Sequence, residues 1–283
     1  MLQRGFPTAA NHVGTALHTE SRPVTDLLDQ LALGTVIADP RLPFAMGCAL
    51  LAGVTRGFSG FGSALIYIPL MSALYGPQLA AGSLVLIDLA VDAMLLPSLW
   101  RRVQWREVWP MAAAAIIAGQ FGTVILEHAD PVMLRWIISA IVLAVVAVLA
   151  LGWRYHGRPK LIVTLAVGAL SGLLGSSVQI AGPPVIMYWL GSAGDLAVLR
   201  ANFIGYFTLL TGGLFGTYFW RGIITSEAVA LALFTGPVQI LATWLGTKLF
   251  HVASARAYRS AAYVVIALVA LVSLPLFDSL WGR

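Results

Sequence analysis

The chain has 283 residues, of which 59% are hydrophobic and only 10% charged, and its net charge is +5. Soluble domains carry about 25% charged residues, so this composition excludes a soluble enzyme, a DNA-binding domain and a disulfide scaffold. An all-α polytopic membrane protein is the class that remains.

Residues 1–41 lack an apolar core long enough for a secretory signal. Within them Val24, Leu27, Leu28 and Leu31 share one face behind a candidate Thr25 cap. The stretch Thr25 to Ile37 is therefore either a short amphipathic helix on the membrane surface or part of a flexible tail. Residues 42–75 follow, with Arg56 their only charge and Gly57-Phe58-Ser59-Gly60-Phe61-Gly62 in their middle. Apolar segments come next at 79–100, 108–126 and 136–153, each long enough for a membrane crossing. A second uncharged stretch, 161–194, is interrupted from Gly175-Ser176-Ser177 through Gly182-Pro183-Pro184. Segments 201–220, 228–247 and 260–277 complete the chain. As one helix, either 34-residue stretch would be about 51 Å long against a hydrocarbon core of about 30 Å. Each therefore reads as two half-helices of roughly 15 residues, which either continue across the membrane or turn back as a re-entrant hairpin.

Loop charges separate these options. Loops 100–109, 152–160 and 248–259 hold three Lys or Arg each, and every other loop holds at most one. If both stretches cross, the basic residues divide 8 to 5; if both turn back, they divide 10 to 3 with all three rich loops on one side. The positive-inside rule prefers the hairpins, with both termini outside. Three crossings per half is an odd number, so the halves would be inverted relative to each other, a recurrent transporter plan. A weak internal repeat agrees: Gly122, Thr123, Ala129 and Arg135 recur as Gly246, Thr247, Ala253 and Arg259, and Trp100-Arg101 recurs as Trp220-Arg221. The expected organisation is a tail (1–41), a first membrane repeat (42–153), a basic cytoplasmic linker (154–160) and a second membrane repeat (161–283), about eight membrane segments in all.

The motifs Gly57 to Ala64 followed by Pro69-Leu70, and Gly172-Leu173-Leu174-Gly175 followed by Gly182-Pro183-Pro184, resemble the paired glycine-rich motifs of the sulfite exporter TauE/SafE family, also called the 4-toluene sulfonate uptake permeases. The resemblance covers about residues 42–278. It implies a secondary transporter of small organic or sulfur-containing anions in a plasma-type membrane, most simply a bacterial inner membrane. The sequence departs from the family pattern where Ser63-Ala64 and Gln179-Ile180-Ala181 stand in place of glycines.

Asp88 and Asp92 are the only acidic residues well inside an apolar segment, and their i, i+4 spacing puts them on one helix face. Such groups must face a cavity or partners, and a carboxylate pair can load a proton near neutral pH. They are the candidate coupling-ion site, for H⁺ or Na⁺; the bland alternative is a structural pair satisfied by Arg56 or by hydroxyls. Arg56 offers a planar fork suited to sulfonate or carboxylate oxygens, or else it salt-bridges Asp88 or Asp92. The N–H groups of Ser63, Ala64 and Leu65 would open a second half-helix whose positive end favours an anion. Candidate substrate contacts are thus Arg56, Ser59, Gly62 and Ser63 at the first break, and Ser177, Gln179, Gly182 and Pro183 at the second. Gln120, Asn202 and Gln239 are candidate cavity-lining residues, although polar residues on such segments more often join helices. His128, His156 and His251 lack metal-ligand spacing, and the sequence implies no metal, no cofactor and no nucleic-acid partner. Its partners are a small anion, a coupling ion and the lipid bilayer; oligomeric state is not indicated. The function these residues and the resemblance imply is an ion-coupled anion carrier. An anion channel with re-entrant selectivity loops is the alternative, and an intramembrane enzyme using Asp88 and Asp92 a remoter one, since a one-helix pair flanks a scissile bond poorly.

Overall fold

The computed structural model describes residues 32–59, 62–151, 160–190, 196–249, 266–274 and 276. Its helices are α1 (Leu33–Ile37), α2 (Leu42–Ser59), α3 (Ser63–Tyr75), α4 (Pro77–Leu99), α5 (Trp105–His128), α6 (Pro131–Ala150), α7 (Leu161–Val178), α8 (Gly182–Leu190), α9 (Leu196–Trp220) and α10 (Ser226–Leu249). A 3₁₀ turn, Trp100–Arg102, follows α4, residues 266–272 are helical, and no strand occurs among the described residues. Six helices are long and apolar enough to cross a membrane: α4 with its 3₁₀ turn, α5, α6, α7, α9 and α10. The protein is an all-helical polytopic membrane protein.

The breaks are narrower than their glycine content suggests. Gly57 and Ser59 remain in α2, and Gly175 through Val178 remain in α7, so both first arms have 18 residues rather than roughly 15. Packing holds these glycines helical, because Gly57 lies directly against the Thr243 carbonyl of α10, where a side chain would overlap it. The first break follows Ser59 and ends at Gly62, whose φ of 98° an L side chain rarely adopts. The second begins at Gln179, left-handed at φ 60°, whose N–H returns to the α7 carbonyl of Gly175.

Both arm pairs turn back. Arg41, just before α2, donates through Nη1 to the carbonyl of Leu74 near the end of α3, at 2.7 Å. In the second pair the hydroxyls of Thr164, in the first turn of α7, and Tyr188, near the end of α8, lie 2.6 Å apart. The end of each second arm therefore lies beside the start of its first arm. α3 is buried from Leu65 to Leu74, as expected of a helix that is apolar on every side.

Glycines let each first arm press against a helix distant in the chain. Gly168 and Gly172 of α7 lie on the backbone of Met111 and Ala115 in α5, and Gly53 of α2 lies on Gln239 in α10. The repeat residues take reciprocal places: Gly122 abuts Leu173 of α7, and Gly246 abuts Val54 of α2. Two interlocked halves would produce this reciprocity. Ile117, Phe121, Val124 and Ile125 leave an apolar face of α5 exposed, suited to lipid.

Val24, Leu27, Leu28 and Leu31 of the tail, most of the 154–160 linker, and much of the 260–277 segment lie outside the described residues. What is described of the tail is pinned. Asp39 pairs with Arg41 at 2.8 Å, and the Arg41 guanidinium sits 4.5 Å over the Tyr75 ring. The hydrogen bonds from Arg41 hold the Asp39 carboxyl below its ordinary range.

Candidate functional site

The two breaks converge on one cavity of about 80 Å³, room for a small cluster of waters or a small oxyanion. From the first break come Arg56, Gly62, Ser63, Ala64 and Leu65; from the second, Gly175 and Gln179 through Pro183. Asp88 and Asp92 enter from α4, while α9 closes the wall with Phe207, Leu210, Thr211 and Leu214.

The N-termini of α3 and α8 thus face the same space. A helix N-terminus carries a partial positive charge and unpaired N–H groups. Leu65 N–H is already taken by the Gly62 carbonyl at 3.1 Å, which corrects its place among the free donors and leaves those of Ser63 and Ala64. At α8, Pro183 and Pro184 contribute no N–H, which leaves Gly182 as the first-turn residue at the cavity that carries one.

Arg56, in the last turn of α2, uses both arms of its fork on carboxylates. Nη1 donates to Asp88, and Nη2 donates to Asp92 Oδ1 at 3.0 Å. Thr211 donates to the other Asp92 oxygen at 3.3 Å. All three charged side chains are largely removed from solvent, Asp92 most of all at 2% exposure. The helix-face reading of Asp88 and Asp92 agrees with this placement, and so does the ion-pair reading of Arg56. One cation faces two carboxylates, so an anion reaching Arg56 must compete with its own neighbours.

Hydroxyl groups brace the second break. Gln179 Nε2 donates to the Tyr218 hydroxyl at 3.1 Å, which in turn donates to the carbonyl of Ser176 at 2.6 Å. Tyr206 donates to Ser171 Oγ at 2.7 Å, and Ser171 donates to the Ala181 carbonyl at 2.6 Å.

Of the sequence candidates, Arg56, Gly62, Ser63, Asp88, Asp92, Gln179, Gly182 and Pro183 line the cavity. Ser177 does not; its hydroxyl turns back to the Leu173 carbonyl at 2.7 Å, one turn up its own helix. Ser59 closes α2, and its side chain lies outside the described residues. None of the three further polar candidates reaches the cavity. Gln120 is exposed and donates to Thr217 at 2.9 Å. Asn202 accepts from the Gln104 N–H at 2.7 Å, holding the turn before α5 against α9. Gln239 is fully buried within the helices. Phe207, Leu210, Thr211 and Leu214 were missed because their i, i+3, i+4, i+7 spacing is that of any buried helix face. Among the described residues no cluster of metal-ligating side chains occurs.

The sulfite exporter TauE/SafE family model matches residues 45–273, most of the chain. The chain belongs to this family. The TauE/SafE match runs from α2 into the last described helical segment, so it includes both breaks and every residue that lines the cavity. No curated protein and no solved structure matches the chain. TauE/SafE membership makes the protein a multi-pass membrane transporter with a small anionic substrate, the sulfur anions being the class the family name carries.

Proposed function

We propose that the protein is a proton-coupled carrier of small sulfur oxyanions such as sulfite. The observation that carries this reading is the Arg56 fork held by both Asp88 and Asp92 in the cavity where the α3 and α8 N-termini converge. With both carboxylates ionised, the three side chains sum to a single negative charge and repel an anion. A proton on one carboxylate removes that charge and frees half of the guanidinium fork. Ser63 and Ala64 N–H groups and the two helix ends then complete an anion site. Proton and anion therefore favour each other, as linkage requires of a symporter.

Three single crossings, α4 to α6, separate the two hairpins in the chain. In a bilayer the hairpins would open toward opposite faces, which makes the halves inverted repeats and allows one to rock against the other. The basic-loop count favours a cytoplasmic turn after α4, and the family favours a plasma-type membrane, most simply a bacterial inner membrane.

Flux into proteoliposomes tests the reading. Sulfite is one substrate, and thiosulfate a second whose charge does not change near neutral pH. An inward proton gradient should accelerate saturable uptake of both, and Asp92→Asn should abolish the acceleration while anion binding persists. Uptake indifferent to the proton gradient in the wild type would sink the coupling, and single-channel currents would replace the carrier with a pore.

A further inference from the structure

Threonine hydroxyls in the membrane helices follow one habit, with a single exception among the described residues. Thr55 of α2, Thr123 of α5, Thr164 of α7, and Thr235 and Thr243 of α10 each donate to the carbonyl four residues back on their own helix. Thr208 and Thr217, on either side of Thr211 in α9, do the same at 2.8 and 3.0 Å. That bond satisfies a hydroxyl where water is scarce. Thr211 instead reaches across to α4 and donates to Asp92 Oδ2 at 3.3 Å. It is the polar residue among the four that α9 brings to the cavity, beside Phe207, Leu210 and Leu214. Asp92 divides its oxygens, because Oδ1 accepts from Arg56 Nη2 at 3.0 Å and Oδ2 accepts from Thr211. A cationic donor repels a proton, so the coupling proton belongs on Oδ2, the oxygen that Thr211 faces. The charged groups that share the cavity with Thr211 are Asp88 and Asp92 of α4 and Arg56 of α2; the lining residues of α3 and α8 carry no charge. At this level α5 meets α9 with Ile116 against Gly213, and the hydroxyls of Tyr206 and Tyr218 in α9 are bonded at the second break.

We propose that the Thr211 hydroxyl is a two-position switch, which donates to Asp92 while that carboxylate is ionised and to the transported anion once it is protonated. This inference deepens the proton-coupled reading of Asp88 and Asp92 and rests on it. A hydroxyl has one hydrogen to give and two lone pairs to receive. Ionised Asp92 takes that hydrogen. A proton on Oδ2 makes the carboxyl a donor in its turn, and two facing O–H groups cannot both donate along one line. The new Oδ2 hydrogen goes to the Thr211 oxygen, and the Thr211 hydrogen turns into the cavity. No bond to hydrogen breaks in this turn: the proton gained stays on Oδ2, and the hydroxyl only rotates. The resting bond, at 3.3 Å, is longer than an ordinary O–H···O bond and so is readily given up. An anion offers a stronger, charge-assisted acceptor in its place. Proton and anion are thereby linked through one atom, since Oγ1 gives the anion a donor only after the proton has arrived.

Thr211→Val keeps the shape of the side chain and removes the hydroxyl, whereas Thr211→Ser keeps the hydroxyl. The measurement is the thiosulfate concentration that gives half-maximal thermal stabilisation of the purified protein. It is made at about pH 5.5 and about pH 8.5, either side of the neutral range in which a carboxylate pair can load a proton. Wild type should bind more tightly in acid. Thr211→Val should weaken acid binding by about tenfold, the scale of one hydrogen bond to a charged group, and leave alkaline binding as in wild type, so that the pH dependence flattens. Thr211→Ala, which also lacks the hydroxyl, should flatten it in the same way, and Thr211→Ser should restore the wild-type profile. Wild-type acid affinity in Thr211→Val overturns the switch, because the hydroxyl would then give nothing to the anion. Equal weakening at both pH values also overturns it, because Thr211 would then be a fixed contact or a packing residue. Wild-type affinity that ignores pH removes the coupled reading and the switch with it, a result visible before any variant is compared.

Discussion

Gln179 combines two opposed effects in one residue. Its left-handed backbone, at φ 60°, costs an L residue about 1–2 kcal/mol relative to glycine, whereas its side chain fixes the second break through Tyr218 in a bond worth about 1 kcal/mol. Gln179→Gly exchanges one for the other and should leave thermal stability nearly unchanged. Gln179→Ala loses the bond and keeps the strain, so it should cost about 1 kcal/mol in thermal unfolding. Equal losses in both variants would show that the backbone conformation is unstrained. Arg41 holds the Asp39 carboxyl below its ordinary value, so the pair contributes stability above the unfolded carboxylate range, and that contribution disappears as pH falls through the folded value. Arg41 is substantially exposed, which limits the pair to less than about 1 kcal/mol. Asp39→Asn should therefore be slightly less stable than wild type at pH 7, with the gap closing below about pH 4. A gap that persists in acid would assign the effect to packing.

At the scale of helices, the glycines divide into two groups that composition cannot distinguish. Gly172 lies on the Ala115 backbone of α5, whereas Gly212 of α9 has open space where a side chain would sit. Gly172→Ala should destabilise by about 1–3 kcal/mol through overpacking and spread the α5–α7 contact. Gly212→Ala should be neutral or stabilise by up to about 1 kcal/mol, since alanine is the better helix former. Thermal unfolding of the two variants in one detergent separates them, and similar behaviour would contradict the close packing. The same limit explains what the sequence could reveal. The five described crossings α4, α5, α6, α9 and α10, the two breaks and the carboxylate face of α4 follow from hydropathy, glycine and proline position, and helical period, all of which are local. Which helix a glycine faces is not local, so neither the helical state of Gly57 nor the pairing of α7 with α5 could be read. Asn202 and Gln120 show the converse error. Polarity in an apolar segment signals a hydrogen bond, and each has one, to the Gln104 backbone and to Thr217, but the bond is structural and away from the cavity.

For the whole molecule, the decisive question is which loops share a membrane face. Arg221, after α9, donates to Glu127 at the end of α5 at 2.8 Å, and Gln78, at the start of α4, donates to the Leu126 and Glu127 carbonyls. The loop after α9, the end of α5 and the start of α4 therefore meet at one end. If residues 161–194 crossed the membrane, Arg221 and Glu127 would lie on opposite faces; a hairpin puts them together. Arg41 bonded to Leu74 makes the same argument for residues 42–75. The chain's single cysteine allows this to be tested directly, since Cys48 is buried and Cys48→Ala gives a background without thiols. In that background Pro40→Cys and Glu227→Cys should label from outside the cell with a membrane-impermeant thiol reagent. Arg102→Cys and Lys160→Cys should label only after the inner face is opened, as the basic-loop rule requires of the turn after α4. Two crossing stretches would instead put Pro40 and Glu227 on the Arg102 side. That pattern would remove the inverted relation between the halves, and with it the reason for expecting the cavity to open alternately to the two faces.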